Sequence, residues 1–302
     1  MRILITGAFG FLGRNLVDHL EKDHDLILTD RETDLFETEA MSKWMIGKHI
    51  IFCDLDTEAE KLQEVLPSVD CVIHGAARTR IPPSWNLYKA YYNTNIITST
   101  FFYNVCQAYG VKKFVFISSS SVYGNNGTET QTEDSPLIPT NPYAVSKMSA
   151  EHALKVQSLM AKTELVIVRP FTMYGDYMNL GPDALVIGKF IKARDQGEPL
   201  QLDGGGTQTR DFLHASDAVA GMKIIVEQGE HGEIYNLGTG QRVTIKQLAD
   251  IISPRQVVTP QRRGHVERTQ ADITKLSKLG YEPKVFVLDW LTELMSYSKV
   301  TE

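Results

Sequence analysis

The sequence is poor in several features that would assign a protein to a class at once. Its 302 residues include only three cysteines, Cys53, Cys71 and Cys106, which are scattered and show no CxxC spacing. An odd, scattered set is typical of reduced thiols that pack as small hydrophobic side chains, and it provides neither a disulfide framework nor a metal motif. No apolar run approaches the roughly 18 residues that a membrane-spanning helix needs.

The chain also has no excess of positive charge. Lysine and arginine number 31 and aspartate and glutamate 37, which gives a net charge of −6. This balance argues against nucleic acid or an anionic membrane as a partner. The N-terminal stretch MRILITGAFGFLG is interrupted by glycines and lacks a small-residue cleavage site. We therefore expect it to begin the fold as a strand and the protein to be cytoplasmic.

What is present is an alternation of two kinds of segment. Apolar, β-branched runs occupy 2–6, 25–29, 49–53, 71–74, 113–118 and 164–169, and helix-type stretches occupy 11–22, 57–66, 84–109 and 142–161. Continuous apolar runs suit strands buried on both faces of a parallel sheet. The alternation predicts a Rossmann-like, doubly wound α/β domain over 1–169. Residues 170–302, denser in glycine and proline, are predicted to form mainly a smaller substrate-binding lobe, with chain crossings between the two.

A glycine-rich motif, TGAFGFLG, directly follows the first predicted strand and opens the first helix. In such a motif Gly7 permits a tight turn, Gly10 lets the backbone approach a pyrophosphate, and Gly13 lets helix and strand pack closely. The first helical residues, Phe11 and Leu12, then present backbone N–H groups to the anion. The motif in this context predicts a bound dinucleotide.

Asp30 ends the second predicted strand, where a carboxylate accepts hydrogen bonds from the adenosine ribose and repels a 2′-phosphate. It favours NAD over NADP, although the adjacent Arg31 could accommodate a phosphate. Asp54 and Leu55 follow the third strand and are placed to border the adenine. Ala76, in the small-residue stretch after the fourth strand, could line the cofactor.

The segment NPYAVSK combines a helix start with a reactive pair. Asn141 can cap the helix, Pro142 suits its first turn, and Tyr143 and Lys147 then lie four residues apart on one face. A phenol with a pKa near 10 is a poor base at neutral pH, but a nearby ammonium group favours its phenolate. The pair can then remove a proton from an alcohol while hydride leaves the same carbon.

Taken together, these motifs resemble the extended short-chain dehydrogenase/reductases, specifically the NAD-dependent sugar-nucleotide epimerase/dehydratase family. The resemblance runs nearly end to end and includes SSSSVYG, VRPFTMYG, GTQTRDFLH, YNLGTG and RRGHVERTQAD. It implies that Ser119 is the third catalytic residue, with Ser120 beside it at the substrate, and that Asn95 contacts the cofactor. It also implies a homodimer that pairs through 84–109 and 142–161.

The resemblance further implies a set of substrate contacts. Arg210, Arg262 and Arg268 look like ligands of the diphosphate, because a guanidinium fork suits phosphate oxygens. Thr172 stands where related enzymes usually carry an asparagine, which keeps a hydroxyl but shortens the side chain. Thr269 aligns with a position that walls the sugar pocket and, being small, favours UDP-N-acetylhexosamines or their relatives.

The residues after Ser119 bear on the reaction. Related 4,6-dehydratases place Asp and Glu there, whereas this chain has Ser120 and Ser121, which cannot serve as general acids or bases near neutral pH without an activating partner. We therefore expect an NAD-dependent 4-epimerase acting on a UDP-hexose or UDP-N-acetylhexosamine. A nucleotide-4-keto-sugar reductase using NAD(P)H and a non-catalytic NAD-binding protein remain alternatives. The nucleotide base and the sugar cannot be read from the sequence.

Overall fold

The structure is a computed structural model that describes residues 1–32, 38–181, 184–261, 264 and 266–298. It divides into two compact units, each built from several stretches of chain. The first unit comprises Met1–Ser118, Asn141–Val168 and Ile225–Ile234, and the second comprises Ser119–Thr140, Arg169–Ile224 and Tyr235–Glu302. Within the described residues, no helix has both the length and the apolar character needed to cross a bilayer.

The central element is a seven-stranded sheet. Its strands are β1 (Arg2–Thr6), β2 (Asp25–Asp30), β3 (His49–Phe52), β4 (Cys71–His74), β5 (Lys113–Ile117), β6 (Glu164–Pro170) and β11 (Ile234–Leu237). They lie in the order β11-β6-β5-β4-β1-β2-β3, and the pairings from β6 through to β3 are parallel. This order reverses direction at β1, as in a doubly wound sheet. The predicted Rossmann-like fold is confirmed.

Helices of the first unit accompany these strands. They are α1 (Phe11–Leu20), α2 (Glu39–Met45), α3 (Ile81–Ser84), α4 (Tyr88–Tyr92), α5 (Ser99–Ala108) and α6 (Pro142–Ser158), with 3₁₀ turns at Ala59–Leu62 and Leu66–Ser68 and a π-helical turn at Asn93–Thr98. The helix predicted over 57–66 is wrong, since only short 3₁₀ turns form there. The Pro67 ring, which lies in the second of these turns, cannot supply an N–H to continue a helix.

The helix predicted over 84–109 forms as a continuous helical run from Tyr88 to Ala108, in which α4 passes through the π-helical turn into α5; its start lies four residues later than predicted. Hydroxyl side chains explain the wide turn: Thr98 Oγ1 donates to Asn93 O at 3.2 Å, five residues back. Such back-bonding competes with the regular helical ladder, and π-helical turns are frequent at functional sites.

The core of the first unit is built from strand residues that are buried on both faces of the sheet. Val72, Phe114 and Ile167 are each fully buried in one hydrophobic cluster. The three cysteines are free thiols in the interior, and burial raises the pKa of Cys71 to about 12. A thiol with so high a pKa is not a nucleophile at neutral pH.

The second unit has shorter elements. They are β7 (Thr172–Tyr174), α7 (Val186–Asp195), β8 (Leu200–Asp203), β9 (Thr209–Arg210), β10 (Phe212–His214), α8 (Ala215–Gln228, whose end belongs to the first unit), β12 (Val243–Thr244), α9 (Ile245–Ile252), β13 (Gln256–Thr259), α10 (Thr274–Ser277) and α11 (Val287–Ser298). The strands pair as β10-β7, β12-β9 and β13-β8. A separate core includes Leu200, Leu248 and Leu291, each fully buried.

Candidate functional site

The turn between β1 and α1 is tight enough to require glycine. Gly7 has a φ of 68°, and a Cβ there would lie 2.7 Å from the backbone N of Ala76. A Cβ on Gly13 would lie 2.3 Å from Gly7 O, so helix and strand approach as closely as the motif predicts.

The N-terminus of α1 fits an anionic group. Gly10 is its N-cap, and no side chain caps the helix there. The first turn, with Phe11 and Leu12, therefore leaves backbone N–H groups for another acceptor, and the helix dipole favours negative charge at this end. Both features fit the pyrophosphate of a dinucleotide.

Asp30 lies at the end of β2, beside this turn. Its carboxylate accepts hydrogen bonds from Phe9 N at 3.1 Å and Arg31 N at 2.8 Å. Burial raises the pKa of the Asp30 carboxyl, while the two backbone bonds and the Arg31 charge oppose that rise. A carboxylate fixed by two backbone bonds suits recognition of ribose hydroxyls.

The other residues predicted to contact the cofactor lie after β3 and β4. Asp54 accepts a hydrogen bond from Asp56 N at 3.0 Å, and Leu55 is buried in the core of the first unit. Ala76 N donates to Thr6 Oγ1 at 3.1 Å, which ties the loop after β4 to the end of β1. The structure thus brings this loop beside the glycine turn.

Asn95 is fully buried in the π-helical turn, and its amide bonds protein groups. Its Oδ1 accepts from Arg78 N at 2.9 Å, and its Nδ2 donates to Arg78 O at 2.9 Å and to Ser146 Oγ at 2.8 Å. These bonds join the loop after β4 to α6. The geometry assigns Asn95 a supporting part in the fold, and a direct contact with a cofactor stays a prediction.

Tyr143 and Lys147 lie on α6, whose start is specified as the sequence predicts. Asn141 Oδ1 accepts from Ala144 N at 3.0 Å as the N-cap, and Pro142 is the first helical residue. Tyr143 is 7% exposed, and its ring meets that of Tyr91 edge-on, with 6.5 Å between centroids.

Lys147 is 2% exposed, which is unusual for a lysine. Its Nζ donates to Ile117 O at 2.7 Å and lies 4.7 Å from the centroid of the Phe116 ring. Burial lowers the pKa of Lys147 to about 7, and the charge of Glu151 opposes this shift. The ammonium group therefore sits close to its midpoint at neutral pH, where its environment decides its charge.

In the second unit, Ser119 caps the 3₁₀ turn Ser120–Tyr123. Its Oγ accepts from Ser121 N at 3.1 Å and donates to Ser121 Oγ at 3.1 Å. Ser120 is buried, and Tyr123 Oη donates to Asn236 Oδ1 at 2.6 Å. The hydroxyl of Ser119 is thus held at a defined place by its own turn.

Four of the predicted substrate residues lie around the consecutive strands β9 and β10. Thr172 N donates to Asp211 O at 3.0 Å, and Thr269 N donates to Thr209 O at 3.2 Å. Arg268 forms an isolated parallel β-bridge with Thr209 through its backbone. Arg210 Nη1 donates to Thr209 O at 2.6 Å, and burial lowers the pKa of its guanidinium to about 10. Arg262, the fifth, lies outside the described residues.

Two of these residues have partners that the sequence did not indicate. The Arg268 guanidinium meets Glu129 Oε1 at 2.7 Å on the surface. Thr269 is 7% exposed, and its Oγ1 accepts from Asp211 N at 3.4 Å. Asp211 is a further residue of this region, and its place beside Arg210 in TRDF is the sequence signal that points to it.

Asp211 is fully buried and orders the loops around it. Its Oδ1 accepts from Thr239 N at 2.9 Å and Thr239 Oγ1 at 2.7 Å, and its Oδ2 accepts from Gly240 N at 2.9 Å and Ala271 N at 3.0 Å. In the described part of the chain, no cluster of His, Cys, Asp or Glu could hold a metal ion.

Comparison with known proteins identifies the family to which this chain is similar. The profile of the family described as "NAD dependent epimerase/dehydratase family" matches residues 3–238. A Bacillus subtilis (strain 168) protein named as an uncharacterized UDP-glucose epimerase, YtcB, is 30% identical over 98% of this chain and 98% of its own length. A mouse dTDP-D-glucose 4,6-dehydratase is 32% identical over 82% of this chain and 71% of its own.

A solved structure resembles the chain throughout. It is the UDP-glucose 4-epimerase of Thermotoga maritima with UDP-glucose, and its TM-score is 0.89 at 27% identity, covering 100% of this chain and 99% of that one.

Proposed function

The chain belongs to the NAD-dependent epimerase/dehydratase family, and we propose that it is a nucleotide-sugar 4-epimerase acting through a transient 4-keto sugar. Its cofactor is NAD. Gly7, Gly10 and Gly13 with the uncapped start of α1 would hold the pyrophosphate, and Asp30 would hold the adenosine ribose. Bound NAD supplies the reversible oxidation at C4 of the sugar.

The residues of the chain then handle the proton. The Tyr143 phenolate removes the proton from the sugar O4 hydroxyl, and the Lys147 ammonium stabilises that phenolate. Ser119 hydrogen-bonds the same oxygen. When the 4-keto sugar has turned about its diphosphate link, the opposite face of C4 would receive the hydride back, and Tyr143 returns the proton to O4.

One observation carries the proposal of epimerisation over elimination. Ser120 and Ser121 provide only hydroxyl groups where related dehydratases place Asp and Glu, and Ser121 Oγ accepts a hydrogen bond from Ser119 Oγ. Elimination of water across C5 and C6 needs a general acid and base that this turn does not supply. Because a relative in the same family is named as a dehydratase, the choice between epimerisation and elimination has to be tested by experiment.

For the substrate we propose a UDP-hexose or UDP-N-acetylhexosamine. The support is Thr269, a small residue that is buried next to Asp211 and Arg210 in the second unit. A small side chain at this position leaves room for an N-acetyl group, and Arg210 with Arg268 supplies positive charge for the diphosphate.

We also propose a homodimer that buries the outer faces of α5 and α6. Large apolar side chains are exposed there: Phe101 is 51% exposed and Val156 is 68% exposed. An apolar patch formed by such side chains would be typical of an interface. Sedimentation of the wild type as a dimer and of Phe101→Glu as a monomer would support it, and a monomeric wild type at micromolar concentration would refute it.

The test of the reaction begins with the purified protein. Denaturation should release about one NAD per chain, and NMR should show interconversion of a 4-epimer pair within a panel of UDP-hexoses, UDP-N-acetylhexosamines and UDP-hexuronic acids. A requirement for added NADPH would indicate the 4-keto-sugar reductase instead. Bound NAD with no turnover of any nucleotide sugar would indicate a non-catalytic protein.

A further inference from the structure

Glu151 is a buried carboxylate on α6 to which the mechanism above gives no task. It lies one turn after Lys147 and two turns after Tyr143, so the three side chains share one side of the helix. Only 1% of its surface is exposed. A carboxylate removed from water destabilises a fold unless partners compensate it, so its burial beside the reactive pair calls for an explanation.

The partner on the sheet side is Ser118, the residue after the end of β5. Its hydroxyl donates a hydrogen bond to Glu151 Oε1. Ser118 is 3% exposed, and its backbone N donates to Val168 O at 2.7 Å. The serine is therefore fixed by the sheet, and it fixes the carboxylate in turn.

A nearby negative charge favours the protonated form of the buried Lys147 amine. Its hydrogen bond to Ile117 O and its contact with the Phe116 ring orient the ammonium group, but neither partner carries a negative charge. Burial favours the neutral amine, and Glu151 is the group whose charge opposes this effect. A neutral amine would no longer stabilise the Tyr143 phenolate.

The other titratable groups on β4 and α5, the elements next to this part of α6, do not replace this charge. On β4, burial lowers the pKa of His74 to about 3. On α5, which packs against α6, burial raises the pKa of Tyr103 to about 12 and that of Cys106 well above its usual value. All three are uncharged at neutral pH, so Glu151 supplies the balancing charge.

We propose that Glu151, held by Ser118, is a positioning residue that keeps the Lys147 ammonium charged for Tyr143. It acts through Lys147 and does not touch the substrate. For turnover this inference rests on the proposed function, but its effect on the phenol can be measured without substrate. It therefore predicts a change in the ionisation of Tyr143 when the charge of Glu151 is removed.

The experiment titrates Tyr143 in the full-length, NAD-bound protein. The near-ultraviolet phenolate absorption of each variant is compared with that of the same variant carrying Tyr143→Phe, and the difference reports Tyr143 alone. Glu151→Gln keeps an acceptor for Ser118 but removes the charge, and it should raise the pKa of Tyr143 by about one unit. The acidic limb of kcat against pH should move upward equally, with kcat about tenfold lower at neutral pH.

Three variants separate positioning from packing. Glu151→Asp keeps the charge, so the pKa of Tyr143 should stay close to its wild-type value. Ser118→Ala should raise the pKa of Tyr143 as Glu151→Gln does, but by a smaller amount. Asp217→Asn removes another buried carboxylate, 4% exposed and in the second unit, and should leave the Tyr143 titration unchanged.

The proposal is overturned if Glu151→Gln leaves the Tyr143 titration unchanged or lowers the pKa of the phenol, whatever happens to stability. If Glu151→Gln does not fold, an unshifted Ser118→Ala overturns it equally. A shifted phenol in a protein that turns over no nucleotide sugar would support the role of Glu151 while refuting the proposed function.

Discussion

Replacing Asp211 by asparagine should destabilise the second unit strongly, although the change preserves shape. The carboxylate receives donors at both oxygens: Thr239 N and Oγ1 at Oδ1, and Gly240 N and Ala271 N at Oδ2. An amide has only one oxygen. In its better orientation the NH₂ group faces Thr239, whose hydroxyl can turn to accept, but one buried backbone N–H loses its acceptor.

The magnitude follows from these contacts. A buried donor left unpaired costs about 1–3 kcal/mol, and the bonds that remain lose their charge assistance. We expect Asp211→Asn to lower the free energy of unfolding by about 2–4 kcal/mol. Because Asp211 N donates to Thr269 Oγ1 and Asp211 adjoins Arg210, we also expect a raised KM with a smaller change in kcat.

Asp217 provides the matched control. Its Oδ2 accepts hydrogen bonds from Lys284 N at 2.9 Å and from Val285 N at 2.8 Å, so a single oxygen receives both. The amide oxygen of Asp217→Asn can therefore keep both bonds, and the loss should be about 1 kcal/mol. Urea unfolding followed by tryptophan fluorescence, to which Trp290 contributes from the second unit, measures both variants. A loss for Asp211→Asn no larger than that for Asp217→Asn would refute the reasoning.

Three further predictions concern the cofactor, pH and the sugar. Gly13→Ala places a Cβ 2.3 Å from Gly7 O, so overpacking by about 1–3 kcal/mol should cut the NAD retained on purification about tenfold. Gly110→Ala strains the backbone at a φ of 77° but its Cβ meets no atom within 4 Å, so it should retain NAD despite some loss of stability. The pKa of Lys147 is about 7 in the folded protein and near 10.4 in the unfolded chain. Between these pH values the unfolded chain binds more protons than the folded protein, so the free energy of unfolding should rise with pH across that range. Urea unfolding measured at several pH values should show a smaller increase of the free energy of unfolding with pH in Lys147→Met than in the wild type. An equal increase in both proteins would contradict this prediction. Thr269→Tyr should lower kcat/KM for an N-acetylhexosamine relative to a plain hexose, and an unchanged ratio would remove the basis of the substrate proposal.

The parts of the fold that could be predicted are those encoded locally. Apolar runs gave the strands of the parallel sheet, the glycine spacing located the turn after β1, and Asn141 with Pro142 marked the start of α6. Each is a property of a few consecutive residues, so the sequence pattern contains the whole signal.

The parts that could not be predicted depend on residues distant in the chain. Ser118 and Glu151 are 33 positions apart, and Arg268 and Glu129 are 139 apart. The π-helical turn within the helix expected over 84–109 likewise brings Asn95 to Ser146 on α6, 51 positions along the chain. The i, i+4 spacing from Lys147 to Glu151 was visible, but the spacing alone does not reveal that both side chains are buried.

The fate of the hydrogen at C4 tests the central claim most directly. A UDP-hexose or UDP-N-acetylhexosamine carrying deuterium at C4 would be incubated with the purified protein without added nicotinamide cofactor, and the product analysed by NMR and mass spectrometry. If Tyr143, Lys147 and Ser119 support epimerisation, the product is the C4 epimer with deuterium still at C4 and no loss of water. A product that has lost water, or deuterium found away from C4, would contradict the account.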